Sequence, residues 1–452
     1  MKSILVRSGL LVLGILWATT HCACTPRSYP ADQLKEALQK ICIDEYGIEN
    51  VDAKVVDKTI GVYLPLNKLF ITDFGDVLKG GKIKNIDSLF EPSPEALDKV
   101  EDVLFSLSRV ILSTDRSLDF YVLQATDVAK TGLQLTLTGY IDDIKRVRLW
   151  DISRNEYRKR VLHELRLNQA VLWHKPVRAF FENLDRMTPE ALLEKYFVRD
   201  ATVDMIQLFF DRPAPAVSPA TTGRRWELLD IRSMDLDRQS AAVYVKAKPG
   251  SSLALAVPPD TTLEYLFLAT QDVDQARILR IIPFQYRESD GSVQKIEFPQ
   301  DLRIDENLAK WHEEFMVEPV RLGPFLAMQL TRRMQNIIFA DERIRNTFRQ
   351  VKVEFQYVDE SMPHRFTLDL DVQLRQYAYI PPRSLVFHED VLYLLGLASR
   401  EFINVMRGYQ FADYEYLGLS VPPDPTEWVL KSENLELLRK NKIDIQGLLT
   451  TF

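Results

Sequence analysis

The sequence predicts an α+β protein of several modules. Three observations predict it: a length too great for one compact core, helical periodicities followed by runs of period-two strand patterns, and a similar element order near both ends. At 452 residues, two or three domains are expected. Hydrophobic residues make up 46% of the chain and charged residues 27%, ordinary globular shares that can bury a sizeable core. The expected organisation is an export segment over 1–23 and α+β modules over 29–166, 188–300 and 322–452.

In the first module, Leu34, Ala37, Leu38, Ile41 and Cys42 recur at helical spacing, and Gly47 ends the pattern. A hairpin follows, Ala53–Val56 and Thr59–Leu64, turning across Asp57 and Lys58. Ser93, Pro94 and Glu95 supply a cap and a first-turn proline for a second helix, whose buried stripe is expected to be Leu97, Val100, Val103, Leu104, Leu107 and Ile111. Strands are expected at Leu118–Thr126 and Gly132–Tyr140, and Ser153 with Glu156 has capping-box spacing for a charged helix reaching about Leu165.

The middle module opens at Thr188 and Pro189 with helical residues expected through about Phe210. Pro213, Pro215 and Pro219 mark a surface loop or hinge. Strands follow at Trp226–Met234, Ala241–Lys248, Leu263–Ala269 and Ile278–Tyr286. Helices then antiparallel strands loosely resemble the nuclear-transport-factor-like cone fold, a resemblance of element order that implies no function.

The last module repeats the order of the first: a helix from Phe325 to about Arg345, a hairpin of Val351–Val358 with Arg365–Leu374, a helix over His388–Met406 and a strand over Phe411–Leu419. Val351, Val353, Phe355 and Tyr357 face one way, and Phe366, Leu368, Leu370 and Val372 answer them. Ile41, Asp44 and Glu45 align with Ile338, Asp341 and Glu342, which points to a duplicated α-β-β-α-β unit flanking the middle module; two unrelated amphipathic helices would produce the same letters.

Before these modules, Lys2 and Arg7 precede an apolar run from Gly9 to Ala18 and a small-residue stretch ending at Ala23, the three zones of a secretory signal peptide. The run is about half the ~20 residues of a membrane-spanning helix. His21, Cys22, Ala23 and Cys24 resemble a bacterial lipoprotein box, in which the modified cysteine becomes the first mature residue. Ala23 before Cys24 suits that pattern better than His21 before Cys22, although His21 stands where an aliphatic residue is usual. The resemblance implies lipidation at Cys24 and an exported, periplasmic protein anchored to a membrane, the outer rather than the inner. Ordinary cleavage and release is the alternative. Cys42, the third cysteine, is then unpaired and expected inside a helix face, so the fold rests on its core rather than on disulfides.

Several partners and chemistries are disfavoured. A formal charge of −7 lacks the basic signature of a nucleic-acid binder. Only 17 glycines occur, the sole Gly-Gly pair is Gly80 and Gly81, and no phosphate-cradling fingerprint is present, so no nucleotide and no cofactor is expected. His163, His174, His312, His364 and His388 include no pair four apart and no His-Glu-x-x-His, so no metal site is expected; Trp311, His312, Glu313 and Glu314 form the one dense cluster. No Gly-x-Ser-x-Gly turn occurs, Gly250, Ser251 and Ser252 lacking the second glycine, although a triad defined by geometry would leave no motif. Asp369 and Asp371 alternate with Leu368, Leu370 and Val372 and are expected on a solvent face.

Two surfaces remain as candidates for contact. Lys145, Arg146, Arg148, Arg158 and Lys159 lie in a basic segment that could meet anionic headgroups or cell-wall polymer, or be a solvated face. Tyr377, Tyr379, Tyr393, Tyr409, Phe411, Tyr414 and Tyr416 concentrate aromatic area that a sugar, a protein or the core itself could use. Finally, the strand from Ile60, the Ser93 helix and a strand ending Ala125, Thr126, Asp127 faintly resemble the peptidoglycan-binding domains of the outer-membrane protein A family. That resemblance implies diaminopimelate contact by Asp127 and an arginine, for which Arg154 is an insecure match because a strand intervenes. The expectation is a cell-envelope lipoprotein that binds or scaffolds other envelope components, tethered to the membrane by lipid and partnered by envelope proteins or cell wall. A peptidoglycan binder and an exported hydrolase are the alternatives.

Overall fold

The computed structural model describes residues 29–71, 91–210, 226–249, 262–272, 275–283, 285–287, 293–295, 304–305, 307–360, 362–375, 381–440 and 445–451. It is an α+β protein, and the chain divides into two compact units: residues 1–56, 60–145 and 163–318, and residues 57–59, 146–162 and 319–452. The export segment with Cys22 and Cys24, the proline-rich loop over 213–219, Gly80, Gly81, the Gly250–Ser252 stretch, Tyr377 and Tyr379 lie outside the described residues.

In unit 1, helix α1 (Leu34–Tyr46) buries the apolar stripe that its spacing predicts, Cys42 included. Gly47 ends it in the left-handed region at φ +65°, where its N–H reaches the Ile43 carbonyl and that of Ile48 reaches Cys42. Strands β1 (Asp52–Val56) and β2 (Thr59–Leu66) precede helix α2 (Pro94–Leu112), capped by the Ser93 hydroxyl accepting from the Ala96 N–H. Of the expected stripe of α2, Val100, Val103, Leu107 and Ile111 are buried with Ala96 and Val110, while Leu104 is half-buried and Leu97 is 44% exposed. Small residues at 96 and 106 let that face approach its neighbours, which leaves Leu97 at its margin.

Strands β3 (Phe120–Asp127) and β4 (Leu133–Tyr140) pair antiparallel, and helix α3 (Ile141–Arg148) follows. Helix α4 (Arg154–Arg160) has the Ser153 cap but stops well short of Leu165, because Leu162–Leu167 instead forms β5, the last strand of a sheet ordered β1-β2-β3-β4-β5. The β3–β4 register places Leu123 opposite Leu137 and Ala125 opposite Leu135 on one face. Gln124 opposite Thr136 and Thr126 opposite Gln134 lie on the other, a buried polar patch beside Phe120 and Val122.

Helix α5 (Gln169–Asn183) starts at an Asn168 cap and contains Pro176. Proline inside a helix removes one hydrogen bond, yet Trp173, Val177, Phe180 and Phe181 gain burial along its face, and packing prevails over local propensity. Helix α6 (Pro189–Tyr196) is capped by Thr188 and ends earlier than predicted, the chain to Phe210 holding only single 3-10 turns. Strands β6 (Trp226–Asp235), β7 (Ser240–Pro249), β8 (Leu263–Asp272) and β9 (Gln275–Pro283) form an antiparallel meander. Its core joins Val243, Val245 and Phe267 to Phe180, Phe181, Phe197 and Phe209. A short ribbon, β10 (Gln285–Arg287) and β11 (Val293–Lys295), follows.

In unit 2, helix α7 (Leu322–Ala340) and helix α8 (Glu342–Thr347) replace the single helix expected to Arg345. The Asp341 carboxylate accepts from the Ile344 N–H and restarts the chain as a new helix. Strands β12 (Phe348–Val358) and β13 (Arg365–Leu374) pair in the predicted facing, with Val353 opposite Leu370 and Phe355 opposite Leu368. Helices α9 (Pro382–Val386) and α10 (Glu389–Gly408) lead to β14 (Tyr416–Ser420), which lies parallel to β13 and begins later than predicted. Strand β15 (Trp428–Lys431), helix α11 (Ser432–Arg439) and strand β16 (Thr450–Thr451) complete a sheet ordered β12-β13-β14-β15-β16. The two five-stranded sheets thus share strand order, and in both a long helix links the second strand to the third.

Candidate functional site

Residues 311–317 run as an extended strap across unit 1, held by side chains from six segments. His312 exchanges backbone hydrogen bonds with Ser233 of β6 at 3.0 and 2.8 Å. Lys54 of β1 donates to the Glu313 carboxylate at 2.6 Å and to the Phe315 carbonyl at 2.9 Å, while Arg232 lies 3.4 Å from the same carboxylate. The Gln124 amide on β3 donates to the Met316 carbonyl at 2.7 Å, and the Asn168 amide donates to the Glu314 carbonyl and to the Gln134 side chain, each at 2.8 Å. Lys54, Gln124 and Asn168 thereby satisfy strap carbonyls that burial would otherwise leave without donors. Phe315 stacks on Tyr63 with centroids 5.5 Å apart, and Trp311 is 2% exposed.

Gly61 lies directly beneath Val317, so a Cβ at position 61 would collide with both Val317 methyl groups. A β-branched side chain has little rotamer freedom with which to withdraw. Gly61→Ala is expected to destabilise unit 1 by roughly 1–3 kcal/mol, the cost of overpacking a filled site, read as a lowered urea midpoint.

Glu314 is the centre of the strap. His174 Nδ1 and Arg178 Nε each lie 3.0 Å from its Oε1, and the two residues are one helical turn apart on α5. A carboxylate only accepts, so Nδ1 carries the proton and Nε2 is a bare lone pair. His174 is fully buried, and among the described residues Nε2 has no hydrogen-bond partner. Burial pushes the imidazole below its ordinary pKa, against the opposing pull of Glu314, since a proton on Nε2 would meet no acceptor. Burial works to raise the Glu314 carboxyl, but the hydrogen bond from His174 and the charge of Arg178 prevail and hold it low. Tyr63 is pushed well above the ordinary phenol value by burial and by the Glu314 charge.

A histidine oriented by a carboxylate, with the distal nitrogen basic, is the arrangement of a general base. Here that nitrogen faces protein interior rather than solvent, so the cluster acts as a latch: Glu314 anchors the strap to α5 and its partners neutralise the charge. The neighbouring side chains of the Trp311–Glu314 cluster diverge: Trp311 points inward, His312 is exposed, and Glu313 and Glu314 meet different cations. Glu314 belongs to a site that draws on residues 63, 168, 174 and 178. No local motif announces it, because its members come from separate elements and the His174–Glu314 pair spans 140 positions.

The other residues singled out from sequence are placed as follows. Asp127 is 4% exposed and closes the β3–β4 turn, its carboxylate accepting from the Lys130 N–H and the Thr131 hydroxyl, each at 3.0 Å. Arg154 is exposed at the first position of α4, in unit 2 whereas Asp127 is in unit 1. Lys145 pairs with Asp142 at 2.7 Å, and Arg146 binds Asp151 at 2.5 Å and the Gly408 carbonyl at 2.8 Å. Arg148, Arg158 and Lys159 are exposed. Asp369 is exposed and Asp371 half-buried; with Lys352 and Glu354 they line an open groove of about 520 Å³ beside Pro422 and Pro423. Of the aromatic residues, Tyr409 and Tyr416 are buried, and Tyr393 donates to Asp341 at 2.9 Å. Among the described residues no group of three or more His, Cys, Asp or Glu is arranged to hold a metal ion, and no helix is long and apolar enough to cross a membrane.

Comparison with known proteins finds no match: no family model fits the chain, and neither a curated protein nor a solved structure is significantly similar to it.

Proposed function

We propose that this chain is a cell-envelope lipoprotein that acts by binding or scaffolding rather than by chemistry, carried to the periplasmic side by residues 1–23 and tethered through Cys24. The observation that supports a scaffolding role is the latch at Glu314. The Glu314 carboxylate is engaged by His174 and Arg178 in holding the strap, and the basic nitrogen of His174 is sealed inside. Rigid positioning of surfaces is what such an investment of buried hydrogen bonds supplies. Asp127, already bonded twice within its own turn, has less capacity left for the diaminopimelate contact that the peptidoglycan-binding reading requires of it.

The tether is tested by metabolic labelling with a radioactive fatty acid, comparing wild type with Cys24→Ala and Cys22→Ala. Label is expected on wild type and Cys22→Ala and absent from Cys24→Ala, with wild type in the membrane fraction. Unlabelled, soluble wild type would overturn the tethered reading.

A further inference from the structure

Unit 2 carries a turn built to present two large apolar side chains outward. After α3, Leu149 is 78% exposed and Trp150 is 89% exposed. Trp150 sits at φ +61°, a left-handed conformation that a bulky residue adopts only when its surroundings impose it. The imposing contacts are specific: the Trp150 N–H reaches the Val147 carbonyl at 3.2 Å, and the Asp151 N–H reaches that of Arg146 at 2.8 Å. The Arg146 guanidinium then ties the Asp151 carboxylate to the Gly408 carbonyl at the end of α10. The turn is thus braced from behind while its apolar tip is left in water.

Its surroundings are basic. Arg148 immediately precedes the tip; Arg154 and Arg158, one helical turn apart, share the outer side of α4, with Lys159 beside them. All four are exposed, and none forms an ion pair among the described residues. The nearby carboxylates are already engaged, Asp151 by Arg146 and Glu156 by Arg160 and Arg333. Arg160 itself turns inward over the Tyr409 ring at 4.9 Å, which fixes the opposite side of α4 as the free one. A tryptophan and a leucine at the tip, with Arg148 next to them in the chain and exposed cations on the helix that follows, match the depth profile of a bilayer interface, where aromatic rings sit at headgroup level and anionic phosphates meet Lys and Arg.

We infer that the Leu149–Trp150 turn is a membrane-contact site: the two side chains enter the interfacial layer while Arg148, Arg154, Arg158 and Lys159 bind anionic phospholipid headgroups. The inference rests on the envelope reading for which membrane is met, and adds to the lipid tether a second contact that sets how unit 2 faces the bilayer.

The test uses the full chain mixed with vesicles containing brominated phosphatidylcholine, with or without phosphatidylglycerol to give the surface the negative potential that basic segments respond to. Fluorescence quenching of wild type minus that of Trp150→Phe isolates Trp150. Quenching beyond the Trp150→Phe variant is expected in the anionic vesicles and is lost in neutral ones. Arg154→Glu/Arg158→Glu should weaken it by about fivefold or more per reversed cation. Circular dichroism and thermal midpoints should be unchanged, since every altered side chain is exposed. Equal quenching of wild type and Trp150→Phe in both vesicle types overturns the inference. So does protection of Trp150 by purified cell-wall polymer or by a protein partner but not by vesicles. Because the vesicles are supplied, a chain that is never lipidated can still pass this test, and a lipidated chain can fail it.

Discussion

Glu314→Ala is expected to destabilise unit 1 by about 1–3 kcal/mol, the cost of leaving the buried Nδ1–H of His174 without its acceptor. The substitution removes the acceptor of His174 Nδ1 and the counter-charge of Arg178 together. It also frees a strap whose backbone is bonded to Lys54, Gln124 and Asn168. Urea denaturation followed by intrinsic fluorescence measures it, since Trp173, Trp226 and Trp311 all belong to unit 1. A shift below about 1 kcal/mol, the value of an exposed pair, would refute the latch.

The same pair sets a pH dependence. His174 titrates lower in the folded chain than its ordinary value of about 6.5, so the unfolded chain binds the proton first and stability falls as pH drops through that value. Glu314, also lowered, contributes stability that is present above its unfolded pKa and lost as pH falls through its folded one. Both act in the same direction. Wild type is expected to lose stability between pH 7.5 and 5.5, and His174→Gln, whose amide can still donate to Glu314, is expected to flatten that loss.

Phe180→Ala is the second large effect, about 3–5 kcal/mol for removing a fully buried phenylalanine. Phe180 stands edge-on to Phe181, Phe197, Phe209 and Phe267, at centroid distances of 5.6, 5.5, 5.3 and 6.1 Å. Each such pair adds to the burial itself. It is the point where α5 meets the meander, and no smaller side chain at 180 reaches all four rings. The readout is again the denaturation midpoint of unit 1; Phe180→Leu, which refills part of the cavity, should recover part of the loss.

The sequence by itself determined the elements whose signals are local. Gly47 ends α1, Ser93 caps α2, Thr188 caps α6, and the alternation at 351–357 and 366–372 sets the facing of β12 and β13. In each, the residue that specifies the element lies within a few positions of the backbone it controls. Tertiary structure decided what depends on distant partners. Helix α5 exists despite Pro176 because its aromatic face is buried against strands more than 50 residues away. Residues 162–167 became a strand rather than the end of a helix because a sheet edge was available to them. The strap from Trp311 to Val317 reads in sequence as an acidic cluster, and it acquires a role only where His174, Arg178, Lys54 and Gln124 converge on it. Periodicity reports which side of an element is apolar, but a polar group inside a protein is specified by the partner it meets, and chain folding alone brings that partner there.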